Sequence, residues 1–129
     1  MSNRVPIHLL VVACLLLGVG CSRSNLDKAF DIMGVVSATR AALPPIYEAV
    51  TDARPDLTDE IEKFDSDFRD AELSVYNTMA AIQAGTENPR DLKALLSPII
   101  AVLDQYKLDE RVPELKPSLD LVKSLLGVA

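Results

Sequence analysis

Carboxylates dominate the side chains of this sequence that could do chemistry, and they are concentrated in one short stretch. Between residues 59 and 72, seven of fourteen residues are Asp or Glu. Carboxylates in groups bind divalent cations, act as paired acids and bases in glycoside hydrolysis, or attract a cationic partner. The residues that we consider as an exposed acidic face for partner docking are Asp59, Glu62, Asp65, Asp67 and Asp70.

Residues 65–67, Asp-Ser-Asp, are similar to the start of a calcium-binding loop, but the pattern fails further along the chain. Such a loop has Gly at its sixth place and a carboxylate at its twelfth, which here are Asp70 and Tyr76. The apolar spacing of a helix also runs through this stretch, at Phe64 and Phe68. We therefore interpret the acidic run as a solvated helix face, with a docking surface for a cationic partner and a weak divalent-ion site as alternatives.

Other catalytic residue types are scarce. The chain contains one histidine, His8, and two cysteines, Cys14 and Cys21, all within the first 21 residues. A domain formed by the rest of the chain has no imidazole for general base catalysis and no thiol nucleophile. We find no Ser-Lys motif either. We therefore expect a non-enzymatic domain with no cofactor and no metal site.

The N-terminal segment is apolar, and Arg4 is its one formal charge before residue 23. The apolar run covers residues 5–20, which is shorter than the roughly 20 residues that a helix needs to span a bilayer. A basic start and an apolar centre are typical of a secretory signal peptide. The end of this run, Leu15–Ser22 or LLLGVGCS, resembles the lipobox of bacterial lipoprotein precursors, in which the cysteine is diacylated and becomes the new N-terminus.

This resemblance implies an organisation for the whole chain. Residues 1–20 would be the signal peptide, Cys21 the lipidation site that attaches the protein to the membrane, residues 21–25 the lipidated tether, and residues 26–129 the folded domain. Ser22, rather than Asp, follows the cysteine, which in Gram-negative lipoproteins implies the outer membrane and a domain facing the periplasm. The alternatives are processing at Cys14, an uncleaved N-terminal anchor and a buried N-terminal helix.

The charge balance is acidic. The chain has 13 Lys and Arg against 19 Asp and Glu, a net charge of −6. Removal of the segment that contains Arg4 leaves 12 against 19, or −7. Because nucleic-acid binding depends on cationic side chains, we expect no nucleic acid among the partners. Cationic or neutral partners are favoured.

The apolar residues recur with a helical period from residue 26 onward, which predicts an all-α fold, a small bundle of four to five helices. Ser24 and Asp27 have the spacing of a capping box at the start of the first helix, which runs to about Ala42. A short second helix ends at Arg54. The third is the clearest, with a stripe at Leu57, Ile61, Phe64, Phe68, Ala71, Val75, Thr78 and Ile82. We expect this stripe to be core, with helix pairing as the alternative.

Two further helices follow Gly85, which is a suitable C-terminal cap for the third. For the fourth helix we predict Asn88 as the N-terminal cap and a kink or break at Ser97, because Pro98 removes a backbone donor. The last helix is expected to end at Gly127. Many apolar faces also leave room for a lipid-binding cavity that opens at Pro98.

Two classes of function remain. The first is a lipid-anchored periplasmic module that binds an envelope protein or an apolar ligand through a helical face. The alternative is an envelope structural protein or a phage-encoded exclusion or lysis accessory factor. The sequence favours neither an individual partner nor an oligomeric state.

Overall fold

A computed structural model of the chain describes residues 24–128, and within that range the protein is helical without a strand. The predicted all-α bundle is confirmed. We number the α-helices in chain order. Their bounds are α1, Asn25–Ala41; α2, Pro44–Ala53; α3, Thr58–Gln83; α4, Leu92–Tyr106; the single turn α5, Leu108–Arg111; and α6, Lys116–Leu125. Two 3₁₀ turns, Pro55–Leu57 and Pro113–Leu115, precede α3 and α6.

The first two helices begin and end where local chemistry requires. The Ser24 hydroxyl accepts a hydrogen bond from the Asp27 amide at 3.1 Å, so the predicted cap of α1 is confirmed. Pro44 occupies the first turn of α2, where a missing N–H costs nothing. Pro55 then ends this helix, because the residue before a proline is disfavoured in the helical conformation.

Helix α3 is 26 residues long and provides the central apolar stripe. The predicted core positions are largely correct, since Ile61, Phe64, Phe68 and Val75 are all buried. The Phe64 and Phe68 rings meet edge to face with centroids 5.6 Å apart. These residues belong to the core of the domain itself, which also contains Met33 and Val36 of α1, Ile99 of α4 and Leu119 of α6.

Helix α4 differs from the prediction at two points. Asp91, not Asn88, is its N-terminal cap, and the Asp91 carboxylate accepts a hydrogen bond from the Ala94 amide at 2.7 Å. Of the kink or break expected at Ser97, the break does not occur, because the helix continues through Pro98. Pro98 cannot donate to the Ala94 carbonyl, but the Ser97 hydroxyl donates to that oxygen at 3.0 Å. This local replacement is compatible with an uninterrupted helix.

The helices pack around a single core. Helix α3 packs most extensively on α4, and α1 contacts α3, α4 and α6, so the two ends of the domain lie against each other. Polar contacts join the same elements. Glu72 on α3 is 5% exposed, and its carboxylate accepts hydrogen bonds from Arg40 and from the Ser37 hydroxyl of α1. A buried carboxylate is tolerated because it is paired and hydrogen-bonded.

Candidate functional site

The five carboxylates predicted to form an acidic face have different surroundings. Asp59, Glu62 and Asp70 are exposed, whereas Asp65 and Asp67 are partly buried. Residues two apart on a helix point to different sides, so these last two lie on opposite flanks of α3. The Asp67 carboxylate accepts a hydrogen bond of 2.5 Å from the hydroxyl of Tyr106, which joins α3 to α4. The five carboxylates therefore do not form one continuous surface.

Asp65 occupies the flank of α3 that is close to α2. Its carboxylate is 23% exposed, and one oxygen, Oδ2, lies 3.1 Å from Nε of Arg69. The pairing of these two residues on one helix follows from their four-residue spacing. The other oxygen, Oδ1, is buried and has no hydrogen-bond partner among the described residues.

Tyr47 of α2 is the residue that complements Asp65. Its side chain belongs to the buried face of α2 and is only 9% exposed, yet its hydroxyl also has no hydrogen-bond partner among the described residues. Burial raises the pKa of the Tyr47 hydroxyl, and the negative charge of Asp65 raises it further. The two groups also interact through a weak side-chain hydrogen bond that raises the same pKa, although its geometry lies outside the normal range.

These two groups line a cleft of about 350 Å³ between α2 and the first half of α3. Ile61 contributes an apolar wall, and the charged lining consists of Glu48, Glu62 and Asp65 against the guanidinium of Arg69. The ionised cleft is therefore net negative. Its volume lies at the small end of the range for ligand pockets. This cleft is the candidate site.

A second, larger depression of about 630 Å³ lies near the C-terminus of the described chain. Its buried polar group is already paired, because Asp109 is 4% exposed and its Oδ2 lies 2.9 Å from Nζ of Lys123. That contact raises the pKa of Lys123 through the hydrogen bond from its ammonium to the carboxylate. We prefer the α2–α3 cleft, because its two buried polar groups, Tyr47 and Asp65, have no hydrogen bond of normal geometry to each other.

The sequence alone does not single out Tyr47 or Asp65 as residues that meet in one cleft. Tyr47 lies on the apolar face of α2, and a tyrosine in such a face also carries a hydroxyl that needs a partner. Asp65 was treated as one member of a charged run, although it lies four residues after Ile61 and so flanks the core stripe. Their juxtaposition depends on how α2 packs against α3, for which the sequence has no local signal.

Other predicted positions fall outside the described residues. Cys21, the predicted lipidation site, precedes residue 24, as do His8 and Cys14. Within residues 24–128 no group of three or more His, Cys, Asp or Glu side chains is arranged to hold a metal ion. No helix in the same range has the length and apolar character needed to cross a bilayer.

Comparison of the chain with protein-family models, with curated proteins and with solved structures finds no match. The functional argument therefore depends on the residues and their geometry.

Proposed function

We propose that this protein is a bacterial lipoprotein, attached to the cell envelope through acylated Cys21, whose helical domain is a non-enzymatic binding module. The observation that carries the proposal is the position of the lipobox-like segment Leu15–Ser22 relative to the folded domain. Helix α1 begins at Asn25 with Ser24 as its cap, so three residues separate Cys21 from the first helix. A processing site that precedes the folded domain is consistent with a lipoprotein.

The short tether determines where the domain acts. Three extended residues reach at most about 10 Å, so the acylated Cys21 would hold α1 close to the lipid headgroups. Acyl chains contribute roughly 0.8 kcal/mol per buried methylene, and two or more chains give stable attachment without a spanning helix. With Ser22 after the cysteine, we place the domain on the outer membrane, facing the periplasm.

The composition of the domain supports binding rather than catalysis. Residues 24–128 contain neither histidine nor cysteine, so imidazole and thiol chemistry are not available there. The α2–α3 cleft offers fixed hydrogen-bonding groups and an apolar wall, which are the features of a small-molecule or side-chain binding site. An envelope module that presents this cleft near the membrane surface is consistent with both observations.

Intact-mass spectrometry of the protein extracted from its host membrane tests the lipid anchor. We expect a mass that corresponds to residues 21–129 plus acyl chains. A Cys21→Ser variant should lose the acyl mass and leave the membrane fraction or accumulate as the precursor. Cys14→Ser is the matched control and should be processed normally. A wild-type mass equal to all 129 residues would contradict the proposal, and so would normal processing of Cys21→Ser.

A further inference from the structure

Another cleft lies at the end of the bundle where the described chain begins, between the start of α1 and the end of α3. We call it the entry cleft, and its volume is about 220 Å³. Its lining includes Ser24, Leu26, Ile82, Pro89, Arg90 and Leu95. Leu26 and Ile82 are partly buried against the core, and Leu95 is 2% exposed. The described chain therefore begins at the edge of an apolar recess.

The polar groups that line the entry cleft are already paired. The Ser24 hydroxyl accepts from the Asp27 amide, and Nη2 of Arg90 lies 2.9 Å from Oε1 of Glu87. None of the described residues that line this cleft is acidic, in contrast to the α2–α3 cleft and the C-terminal depression. Because burying a polar group without a partner is unfavourable, an apolar ligand fits this lining better than a polar one.

The position of the entry cleft indicates which apolar group can reach it. Residues 1–23 join the described chain at Ser24, which itself lines the cleft. Cys21 precedes Ser24 by three residues, which extend over at most about 10 Å. A long apolar group attached to Cys21 can therefore fold back into the cleft without any movement of the helices.

We propose that the entry cleft holds part of an acyl chain of Cys21 when the protein is outside a bilayer. This proposal rests on the lipid attachment proposed above. The cleft volume is roughly seven times the share of liquid volume of one water, about 30 Å³, so the cleft holds several methylene groups. Transfer of these groups from water into the cleft is favourable, whereas transfer from lipid gains little, because lipid tails are as apolar as Leu. The acyl chain therefore leaves the cleft when a bilayer is present.

Photocrosslinking of the acylated protein tests this proposal. Host cells are grown with a fatty acid that carries a diazirine, and the purified protein is illuminated at low concentration after removal of detergent. We expect crosslinks within single molecules, which peptide mass spectrometry locates in segments that contain Leu26, Ile82 or Leu95. In phosphatidylcholine vesicles most of these crosslinks should be lost and replaced by crosslinks to lipid.

Substitutions in the lining identify the cleft as the site of crosslinking. Leu26→Gln places a polar amide in the lining, and it should lose most of the crosslinks at Ile82 and Leu95. Leu73→Gln is the matched control, because Leu73 is 60% exposed on α3 and does not line the cleft. This control should crosslink as the wild type does. Ile82→Gln is the second test variant, and thermal melting shows which of the variants are folded.

The outcomes separate this proposal from the lipid anchor. Crosslinks spread over the whole surface, crosslinks that persist in folded Leu26→Gln and Ile82→Gln, or equal crosslinking at the cleft in vesicles would each overturn the proposal. A labelled Cys21 without any crosslink to the cleft would overturn it as well, but would leave the lipid anchor intact. An intact mass without the label would overturn both proposals together.

Discussion

Asp65 and Asp67 are the same residue type two positions apart, yet they have different environments because α3 turns them to opposite flanks. Asp67 accepts a hydrogen bond from Tyr106 and so contributes to the packing of α3 on α4. Asp65 pairs with Arg69 through Oδ2, and its carboxylate also raises the pKa of the Tyr47 hydroxyl on α2. At the scale of the residue, the role of each acidic side chain depends on which group the fold places beside it, rather than on how many acidic residues there are.

Glu60 provides a pH-dependent test of one such pairing. The two nitrogens of the Arg111 guanidinium contact both Glu60 oxygens, and the hydrogen bond from Arg111 holds the pKa of the Glu60 carboxyl below its ordinary value of 4.5. A lowered carboxyl pKa stabilises the folded state above pH 4.5, and this contribution is lost as the pH falls through the folded-state value. Arg111→Gln should therefore slightly lower stability at pH 7, as for a solvent-screened ion pair.

Thermal unfolding of both proteins between pH 7 and pH 2 measures this difference. The two melting temperatures should converge below about pH 4.5, because protonated Glu60 gains little from Arg111. Arg90→Gln is the control, since Arg90 pairs with Glu87, which is three residues away and more exposed than Glu60, and its effect should be near zero. A difference for Arg111→Gln that stays constant over the whole pH range would refute the assignment.

At the scale of the element, the helix ends are determined by a few residues with special backbone requirements. Gly85 follows α3 at φ +81°, and Gly127 follows α6 at φ +79°. In both places the next residue donates to the carbonyl five positions back, from Thr86 to Ala81 and from Val128 to Lys123. This is the Schellman arrangement, and it requires the left-handed conformation that glycine adopts without strain.

Gly34 and Gly85 should therefore respond in opposite ways to the same substitution. Gly34 lies inside α1 at an exposed position, and an added Cβ there would meet nothing within 4 Å. Gly34→Ala should stabilise the domain by about 0.5 to 1 kcal/mol through helix propensity. Gly85→Ala forces a Cβ into a left-handed conformation and should cost about 1 kcal/mol. Urea denaturation gives both values, and a change of the same sign in the two variants would contradict this explanation.

The elements were more predictable than their boundaries. Periodicity located α1, α3 and α6, and the glycine caps were correct, because these features depend on neighbouring residues. The start of α4 was placed at Asn88 because Asn and Pro in sequence are typical of a helix start, but Asp91 has the same capping chemistry and is the residue that caps. The kink or break predicted at Ser97 is not a break, and the Ser97 hydroxyl donates to the carbonyl that Pro98 leaves without a backbone donor.

At the scale of the whole molecule, the candidate site was the least predictable feature. The pairing of Asp65 with Arg69 followed from spacing within one helix. The proximity of Asp65 to Tyr47 could not be predicted from such spacing, because the two residues lie on different helices and meet only when α2 packs beside α3. Sequence patterns specify which face of a helix is apolar but not which neighbour covers a polar group at the edge of that face.

The shared core makes the domain a single cooperative unit, which α6 can test. Leu119 is 1% exposed and belongs to the same core as Met33 of α1 and Phe68 of α3, whereas Leu121 on the same helix is 48% exposed. Leu119→Ala should cost about 2 to 4 kcal/mol, and Leu121→Ala should change stability by less than about 0.5 kcal/mol. If the domain unfolds as one unit, the free energy of unfolding that Leu119→Ala removes is lost by every helix alike.

Native-state hydrogen exchange distinguishes global from local opening. In Leu119→Ala the slowest amides of α1, α3 and α4 should all exchange faster by the same factor, because each of these helices packs on the common core with α6. Faster exchange confined to α6 and its preceding turn would show that the C-terminal helix detaches by itself.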